Sequence, residues 1–321
     1  MNSPEPSGLR ATPDLSITSA TRAPVAPELR AADRQAGGLI VRWWTYRFLR
    51  FIINFFGPKP ELSGVEITSD MAGQRLRVVR PETVTGTGAL LLFHGGGFVI
   101  GSSEGVLAKA IMLARGCGIP VIFPDYRQGP QHPFPAALDD AHAAWHWLLE
   151  QAPTLGIDPG QIVIGGYSAG GGLAASLAQR LHDEGSTQPA AQLLIYPMLD
   201  DQTALRRELD TPRHRVWSNA NNLFGWTSYL GHAPGLPSLP YAVPARRSSV
   251  AGLPPTWLGV GTPDLFLDED RDYGDRLRRA GVEVCYVEVD GGIHGFDSLH
   301  NGSLTRAFEE SMTEFVRRFT S

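Results

Sequence analysis

The amino-acid sequence predicts an α/β fold in which a mostly parallel central sheet is covered by helices on both faces. Short runs of β-branched and aliphatic residues alternate along the chain with longer segments of helical periodicity. Several of these runs are apolar throughout, which is typical of strands buried on both faces. With 321 residues, 42% of them hydrophobic, the chain can bury one large core. We therefore expect one large domain with an appendage.

The composition excludes several classes of function. The formal net charge is −5, whereas a nucleic-acid-binding protein needs clustered Lys and Arg. The two cysteines, Cys117 and Cys285, are too few for a disulfide framework, and both are interpreted as small buried residues. The first residues contain prolines, an acid and no apolar run, so they do not resemble a signal peptide. The composition therefore predicts a cytoplasmic protein without a nucleic-acid partner.

The appendage is predicted at the start of the chain. Residues 1 to about 36 lack apolar periodicity and should be partly disordered or draped over the body. Residues 39–56 predict an amphipathic helix, whose arginines oppose a transmembrane span. One arc of this helix holds Arg42, Arg47, Arg50 and Asn54, and the opposite side holds Trp44, Phe48, Phe51, Ile52 and Phe55. We expect the aromatic side to dock on the protein as a lid, and docking at a membrane surface is the less favoured alternative.

Periodicity assigns the remaining elements. Alternating side chains predict short strands at residues 65–68 and 75–80, and the apolar run 89–93 predicts a buried strand. Further strands are predicted at 121–124, 162–164, 192–196, 256–260 and 282–289, and helices at 105–115, 136–151, from about 169 to 182, at 266–280 and at 304–319. The Pro- and Trp-containing stretch 200–244 breaks the alternation and is predicted to be an irregular insertion.

The stretch 162–175, which reads IVIGGYSAGGGLAA, predicts a sharp turn between a strand and a helix. Gly166 and Gly170 flank Ser168 in a G-x-S-x-G pattern, and a serine in a strained turn needs neighbours without bulk. Such a turn would expose Ser168 as a nucleophile. Because an ordinary glycine-rich turn can give the same pattern by chance, this interpretation depends on finding partners for the serine.

A second glycine-rich loop, His94-Gly-Gly-Gly-Phe98, directly follows the predicted strand 89–93. Consecutive glycines let backbone amides face a ligand without obstruction by Cβ atoms. In acyl transfer these amides, together with that of Ala169 after the serine, would stabilise the negative charge on the carbonyl oxygen. A phosphate-binding loop is disfavoured, because neither a Gly-Lys-Ser/Thr nor a G-x-G-x-x-G pattern accompanies the glycines.

A serine hydroxyl needs a base, and His294 is the histidine best placed to serve. It lies in the sequence DGGIHGF just after the last predicted strand, where glycines allow a loop to present an imidazole. His142 and His146 form an i, i+4 pair on a predicted helix, a spacing that suits zinc. No third ligand with suitable spacing accompanies them, so they are interpreted as surface residues.

The base in turn needs an acid that holds its tautomer. The candidates are Asp200, Asp264, Asp268, Glu269 and Asp290. Asp264 is favoured because it follows the predicted strand 256–260, whereas Asp268 and Glu269 already belong to the next helix, as capping acids favoured by the helix dipole. Asp200 is the rival, since it follows the preceding strand. The predicted chain order is then serine, acid, histidine.

These motifs resemble those of the hormone-sensitive-lipase family of α/β-hydrolases, the bacterial group-IV esterases. The resemblance runs from about residue 90 onward. Its stretches are HGGGFVIGS from His94, DYR and HPFPAALDD from Asp125, GYSAGGGLA from Gly166, GLPPTWLGVGTPDLFLDE from Gly252 and GGIHGFD from Gly291. The resemblance implies that Ser168 is the nucleophile, Asp264 the acid and His294 the base, with Gly96, Gly97 and Ala169 as oxyanion donors.

The resemblance also implies a serine carboxylesterase that acts on short- to medium-chain esters through an acyl-enzyme, without cofactor or metal. It implies an α/β-hydrolase domain at 61–321, and a helical cap made of residues 1–60 and the insertion at 200–244. Tyr167 stands where the family usually has Asp, and Gln128-Gly-Pro-Gln131 where it usually has Leu-Ala-Pro-Glu, so substrate preference stays open. An amidase or peptidase with the same triad is the alternative. A non-catalytic receptor is disfavoured because the triad is complete, and a homodimer stays open.

Overall fold

The computed structural model describes residues 24–36, 40–56, 60–72, 75–211, 214 and 216–321. Positions 1–23, for which the sequence predicts partial disorder, lie outside the described residues. Residues 24–36 are draped over the body, as expected, and form a 3-10 turn at Pro27–Leu29 and helix α1 at Arg30–Gln35. The Ala26 amide donates to the Gly291 carbonyl at 3.1 Å, and the Leu29 side chain is fully buried.

A mixed sheet of eight strands forms the centre of the described structure. The strands are β1 Val65–Met71, β2 Arg75–Pro81, β3 Ala89–Phe93, β4 Val121–Pro124, β5 Ile162–Tyr167, β6 Ala191–Ile195, β7 Thr256–Gly261 and β8 Val284–Val289. Their order is β1-β2-β4-β3-β5-β6-β7-β8. The pairs β1–β2 and β2–β4 are antiparallel and the other pairs are parallel, so the mostly parallel sheet is confirmed.

Helices cover both faces of the sheet, as predicted. They are α2 Tyr46–Phe56, α3 Ser103–Cys117, α4 Ala136–Leu155, α5 Ala169–Asp183, α6 Asn219–Leu230, α7 Leu267–Arg279, α8 Phe296–Leu299 and α9 Ser303–Thr320. Helices α4, α5 and α7 pack on one face of the sheet, and α3, α8 and α9 pack on the other. Cys117 on α3 is buried as predicted, whereas Cys285 is only half-buried because β8 is the edge strand.

The predicted orientation of the N-terminal helix is wrong. Trp44 is 78% exposed and Phe48 on α2 is 65% exposed, so the aromatic side faces solvent. Arg50 faces the body instead, where its guanidinium donates to the Val99 carbonyl at 3.0 Å and to the Gly129 carbonyl at 3.3 Å. Backbone carbonyls need donors that an aromatic ring cannot supply, so the edge of the helix that carries Tyr46 and Arg50 docks, whereas Arg47 stays exposed. The side chains of Asn54 and Phe55 lie outside the described part of the helix.

The insertion at 200–244 packs over the loop that follows β3. It contains 3-10 turns at Asp201–Leu205 and Arg207–Leu209, followed by α6. The Tyr229 ring stacks on Phe98 with centroids 3.9 Å apart, and Phe224 contacts Tyr46 at the start of α2. Helices α2 and α6 therefore meet above this loop. The division into a cap segment at 1–60 and a catalytic domain at 61–321 stays a prediction.

For the N-terminal helix, the less favoured alternative is docking at a membrane surface, which does not require a membrane span. Among the helices that the structure describes, none combines the length and the apolar character that crossing a bilayer requires.

Candidate active site

Ser168 occupies a strained turn between β5 and α5. Its φ of 54° lies in the left-handed region, which a residue with a Cβ adopts only where the surroundings enforce it. A Cβ added to Gly166 would lie 2.2 Å from the Gly170 carbonyl oxygen, and one added to Gly170 would lie 2.2 Å from the Phe93 carbonyl oxygen. Both flanking positions of the G-x-S-x-G pattern therefore require glycine.

The three predicted triad residues meet at the carboxyl ends of three strands. Ser168 follows β5, Asp264 follows β7 and His294 follows β8. His294 Nε2 lies 3.0 Å from Ser168 Oγ, and His294 Nδ1 lies 2.8 Å from Asp264 Oδ2. The Asp264 side chain is fully buried and also accepts a hydrogen bond from the Phe266 amide at 3.0 Å. This chain of hydrogen bonds can pass a proton from the hydroxyl to the imidazole.

The other acids considered from the sequence lie elsewhere. Asp200 Oδ1 accepts from the Gln202 amide at 3.0 Å, where it caps a 3-10 turn. Asp268 pairs with Arg206 at 2.9 Å, and Asp290 accepts from the Thr262 hydroxyl at 3.3 Å. The structure therefore brings Asp264, and not Asp200, to the imidazole of His294.

Glu269 serves a different purpose from the helix-dipole role predicted for it. It is buried and accepts hydrogen bonds from the Leu199 amide at 2.7 Å, the Asp200 amide at 3.2 Å and the Thr203 hydroxyl. Burial raises the pKa of Glu269 well above its ordinary value. The residue thus anchors the loop that begins the insertion, a role that its position on a predicted helix does not reveal.

The glycine-rich loop lies against the serine. Gly96 and Gly97 have φ values of 109° and 59°, and a Cβ added to Gly95 would lie 3.4 Å from Ser168 Cβ. Ala169 is the first residue of α5, so its amide has no carbonyl partner within the helix and lies at the positive end of the helix dipole. The loop that carries two of the predicted oxyanion donors therefore lies beside the Ser168 side chain, and the third predicted donor directly follows Ser168 in the chain.

His94 braces this loop. Its Nδ1 donates to the Gly95 carbonyl at 2.9 Å, and its ring stacks on Tyr126 with centroids 4.1 Å apart. The Tyr126 hydroxyl in turn donates to the His94 carbonyl at 2.7 Å. Burial lowers the pKa of His94 to about 4, so the ring stays neutral near pH 7.

A polar network behind His294 was not anticipated from the sequence. The edge of the Tyr196 ring contacts His294, with centroids 4.8 Å apart. The Tyr196 hydroxyl donates to Asp297 Oδ1 at 2.7 Å, and Lys109 on α3 pairs with the other oxygen of Asp297 at 2.8 Å. Asp297 belongs to the GGIHGFD motif, but its partner Lys109 lies 188 residues earlier, and no sequence pattern links them.

The cavity beside the triad is small, about 10 Å³, and the larger surface clefts lie away from the triad. It is lined by His214, Val216, Trp217, Pro263, Leu265, Ile293, Asp264 and His294. Trp217 also presses on the glycine-rich loop, since a Cβ added to Gly97 would lie 2.2 Å from its ring. Trp226 and Phe224, on α6 of the same insertion, pack instead on Phe98 and on Tyr46.

Comparison with known proteins finds similarity to esterases. Residues 90–298 match the family described as alpha/beta hydrolase fold. Esterase LipI of Mycobacterium tuberculosis (strain ATCC 25618 / H37Rv) is 36% identical over 211 residues, which are 64% of this chain and 65% of LipI, so the match spans less than two thirds of that relative.

Two solved structures extend the similarity to nearly the whole chain. A bacterial heroin esterase has a TM-score of 0.85 and 31% identity, covering 92% of this chain and 98% of its own. An esterase from the bacterial hormone-sensitive lipase family has a TM-score of 0.79 and 25% identity, covering 92% of this chain and 99% of its own.

Proposed function

Because this chain belongs to the alpha/beta hydrolase fold family and resembles the hormone-sensitive-lipase group of esterases, as predicted, we propose that it is a serine carboxylesterase. Its substrates are proposed to be short- to medium-chain carboxylic esters, hydrolysed through an acyl-enzyme on Ser168. The observation that carries the proposal is the chain of hydrogen bonds from Ser168 through His294 to the buried Asp264.

Acylation begins with proton transfer between the serine and the histidine. His294 Nε2 accepts the Ser168 hydroxyl proton while Oγ attacks the ester carbonyl carbon, and the carbonyl electron pair moves onto the oxygen. Asp264 accepts a hydrogen bond from Nδ1 and stabilises the imidazolium that forms. The amides of Gly96, Gly97 and Ala169 supply hydrogen bonds to the oxyanion.

Collapse of the tetrahedral intermediate breaks the bond to the alcohol, which takes its proton from His294. Water then attacks the acyl-enzyme with His294 as the base. The second intermediate collapses to the carboxylic acid and free Ser168. The helix dipole of α5 favours negative charge near Ala169 in both intermediates.

The proposal is tested by substitutions at the triad. Ser168→Ala and His294→Ala should each lower kcat/KM for a nitrophenyl butyrate by roughly 10⁴-fold or more, since the remaining rate comes from binding and the oxyanion hole alone. Asp264→Asn should cost about 10⁴-fold, because the amide fixes the wrong histidine tautomer. Asp200→Asn is the matched control and should stay within roughly tenfold of the parent.

Circular dichroism would establish that each variant is folded. Ordinary turnover by the folded Ser168→Ala variant would refute the nucleophile, and a larger loss at Asp200 than at Asp264 would transfer the acid role. Anilides matched to the esters distinguish the alternative, since an amidase would cleave both.

A further inference from the structure

A cluster of two histidines and a glutamate lies outside the proposed active site. His142 and His146 lie one turn apart on α4, and Glu184 directly follows α5. The two Nε2 atoms lie 3.1 Å apart, and Glu184 Oε2 lies 2.9 Å from His142 Nε2. These atoms all lie within 4.8 Å of one another. The third group, Glu184, lies 42 residues after His142 in the chain, so the sequence spacing does not reveal it and the structure does.

A single shared hydrogen cannot give all three of these groups a hydrogen bond. His142 Nε2 faces both the other imidazole nitrogen and a carboxylate oxygen. If this nitrogen accepts a hydrogen bond from His146, it carries no hydrogen to donate to the carboxylate oxygen of Glu184, and two acceptors face each other. If it donates to Glu184, its single hydrogen points away from His146, whose nitrogen then lacks a donor. A divalent cation between the three atoms would accept a lone pair from each of them.

We propose that His142, His146 and Glu184 form a zinc site with an open fourth position for water. Imidazole nitrogen and carboxylate oxygen are common zinc ligands, at about 2.0 to 2.2 Å from the ion. A tetrahedron with such bonds places neighbouring ligand atoms roughly 3.3 Å apart. Two of the observed separations, 3.1 and 2.9 Å, are close to this edge, and the third pair of atoms lies within 4.8 Å, so a modest adjustment of the side chains admits the ion.

Neighbouring charges hold the glutamate in place for this role. Arg180 Nε donates to Glu184 Oε1 at 2.8 Å, which leaves Oε2 directed at the histidines. The same guanidinium pairs with Asp139 at 2.9 Å, so its positive charge has a second acidic neighbour. Hydrogen bonds to a ligating carboxylate orient it in known metal sites.

The position of the cluster predicts a structural effect of zinc rather than a catalytic one. Glu184 follows the C-terminal end of α5, whereas Ser168 precedes its N-terminal end. The intervening 15 residues of helix span about 22 Å, so an ion at Glu184 is remote from the triad. Bound zinc would tie the end of α5 to α4 in the folded state and leave the rate of hydrolysis unchanged.

The test is a zinc titration of the full chain after treatment with EDTA and gel filtration, using competition with a chromophoric zinc indicator. The parent should bind one zinc per chain at this site, and His146→Gln and Glu184→Gln should each lower the affinity by roughly 100-fold. His232→Gln, which alters an exposed histidine without such neighbours among the described residues, should bind as the parent does. A zinc concentration 100-fold above Kd should raise Tm by roughly 3 to 6 °C in the parent and in His232→Gln only.

Esterase activity is measured in the same samples. Equal zinc affinity in the parent, His146→Gln and Glu184→Gln would overturn the proposal, as would the absence of binding below millimolar zinc. Because the readouts are stoichiometry and Tm, a failure here leaves the triad assignment untouched, and a failure of the triad assignment leaves the zinc site untouched.

Discussion

Asp270 is a fully buried carboxyl group on α7, close enough to Asp264 and Glu269 for their charges to oppose its ionisation. Burial raises the pKa of Asp270 well above its ordinary value, and the neighbouring carboxylates Glu269 and Asp264 add to the effect. Neither of its oxygens has a hydrogen-bond partner among the residues that the structure describes. The folded state therefore holds this proton to higher pH than the unfolded state does.

Asp270→Asn should accordingly make the protein more stable toward alkaline pH. The stabilisation that Asp270 supplies is complete below the unfolded pKa, near 3.8, and is lost as pH rises toward the folded pKa. Tm measured from pH 4 to 9 should fall less steeply in Asp270→Asn than in the parent, with the largest gap at high pH. Asp275→Asn, at an exposed position on the same helix, should reproduce the slope of the parent. A parallel shift at all pH values would contradict this account.

Trp217 is predicted to limit the size of the acyl group, provided that the proposed esterase function holds. Its ring lines the small cavity beside His294 and presses on Gly97. Trp217→Ala should therefore raise the ratio of kcat/KM for nitrophenyl octanoate over nitrophenyl acetate by roughly tenfold or more. Trp44→Ala removes an exposed tryptophan and should leave the ratio unchanged. A ratio that stays at the parental value in both variants would locate the acyl site elsewhere.

At the scale of one element, the attachment of α2 depends on Arg50. Arg50→Met keeps a long apolar stem but removes the donors to the Val99 and Gly129 carbonyls. Hydrogen bonds from charged groups contribute roughly 1.5 to 3 kcal/mol, so the helix should open far more often. Amide hydrogen exchange over residues 46–56 should quicken at least tenfold. Arg47→Met, on the exposed side of the helix, should exchange at the parental rate, and equal acceleration in both variants would argue against this attachment.

The same helix marks the limit of inference from the sequence. A helical wheel separates the arginines from the aromatic residues, but the side that docks is decided by the carbonyls of Val99 and Gly129, which no local pattern encodes. The strands, and the meeting of Ser168, Asp264 and His294, could be predicted because each of these three residues comes shortly after the end of an apolar strand. The roles of Glu184 and Lys109 could not be predicted, since each role depends on contact with a partner far away in the chain.

At the scale of the whole molecule, Lys109 joins the early helix α3 to the late elements α8 and α9. Its ammonium pairs with the buried Asp297 at 2.8 Å and with Glu309 at 2.9 Å. Lys109→Met would leave the Asp297 charge buried without its partner, which should cost about 3 to 5 kcal/mol of unfolding free energy in urea. Arg318→Ala breaks an exposed pair with Glu283 and should cost less than about 1 kcal/mol. A similar loss of unfolding free energy in the two variants would contradict the stabilising role of the Lys109 ion pairs.

The order of these elements along the chain also determines when each part of the proposed site is synthesised. Ser168 and the glycine-rich loop are synthesised before the loop that carries His294, and the serine precedes the histidine by 126 residues. At roughly 5 to 20 residues per second, a ribosome needs about 6 to 25 s to translate this interval. During that time the nascent chain holds a serine without its base, so a growing polypeptide stays chemically inert toward the esters that the finished protein is proposed to cleave.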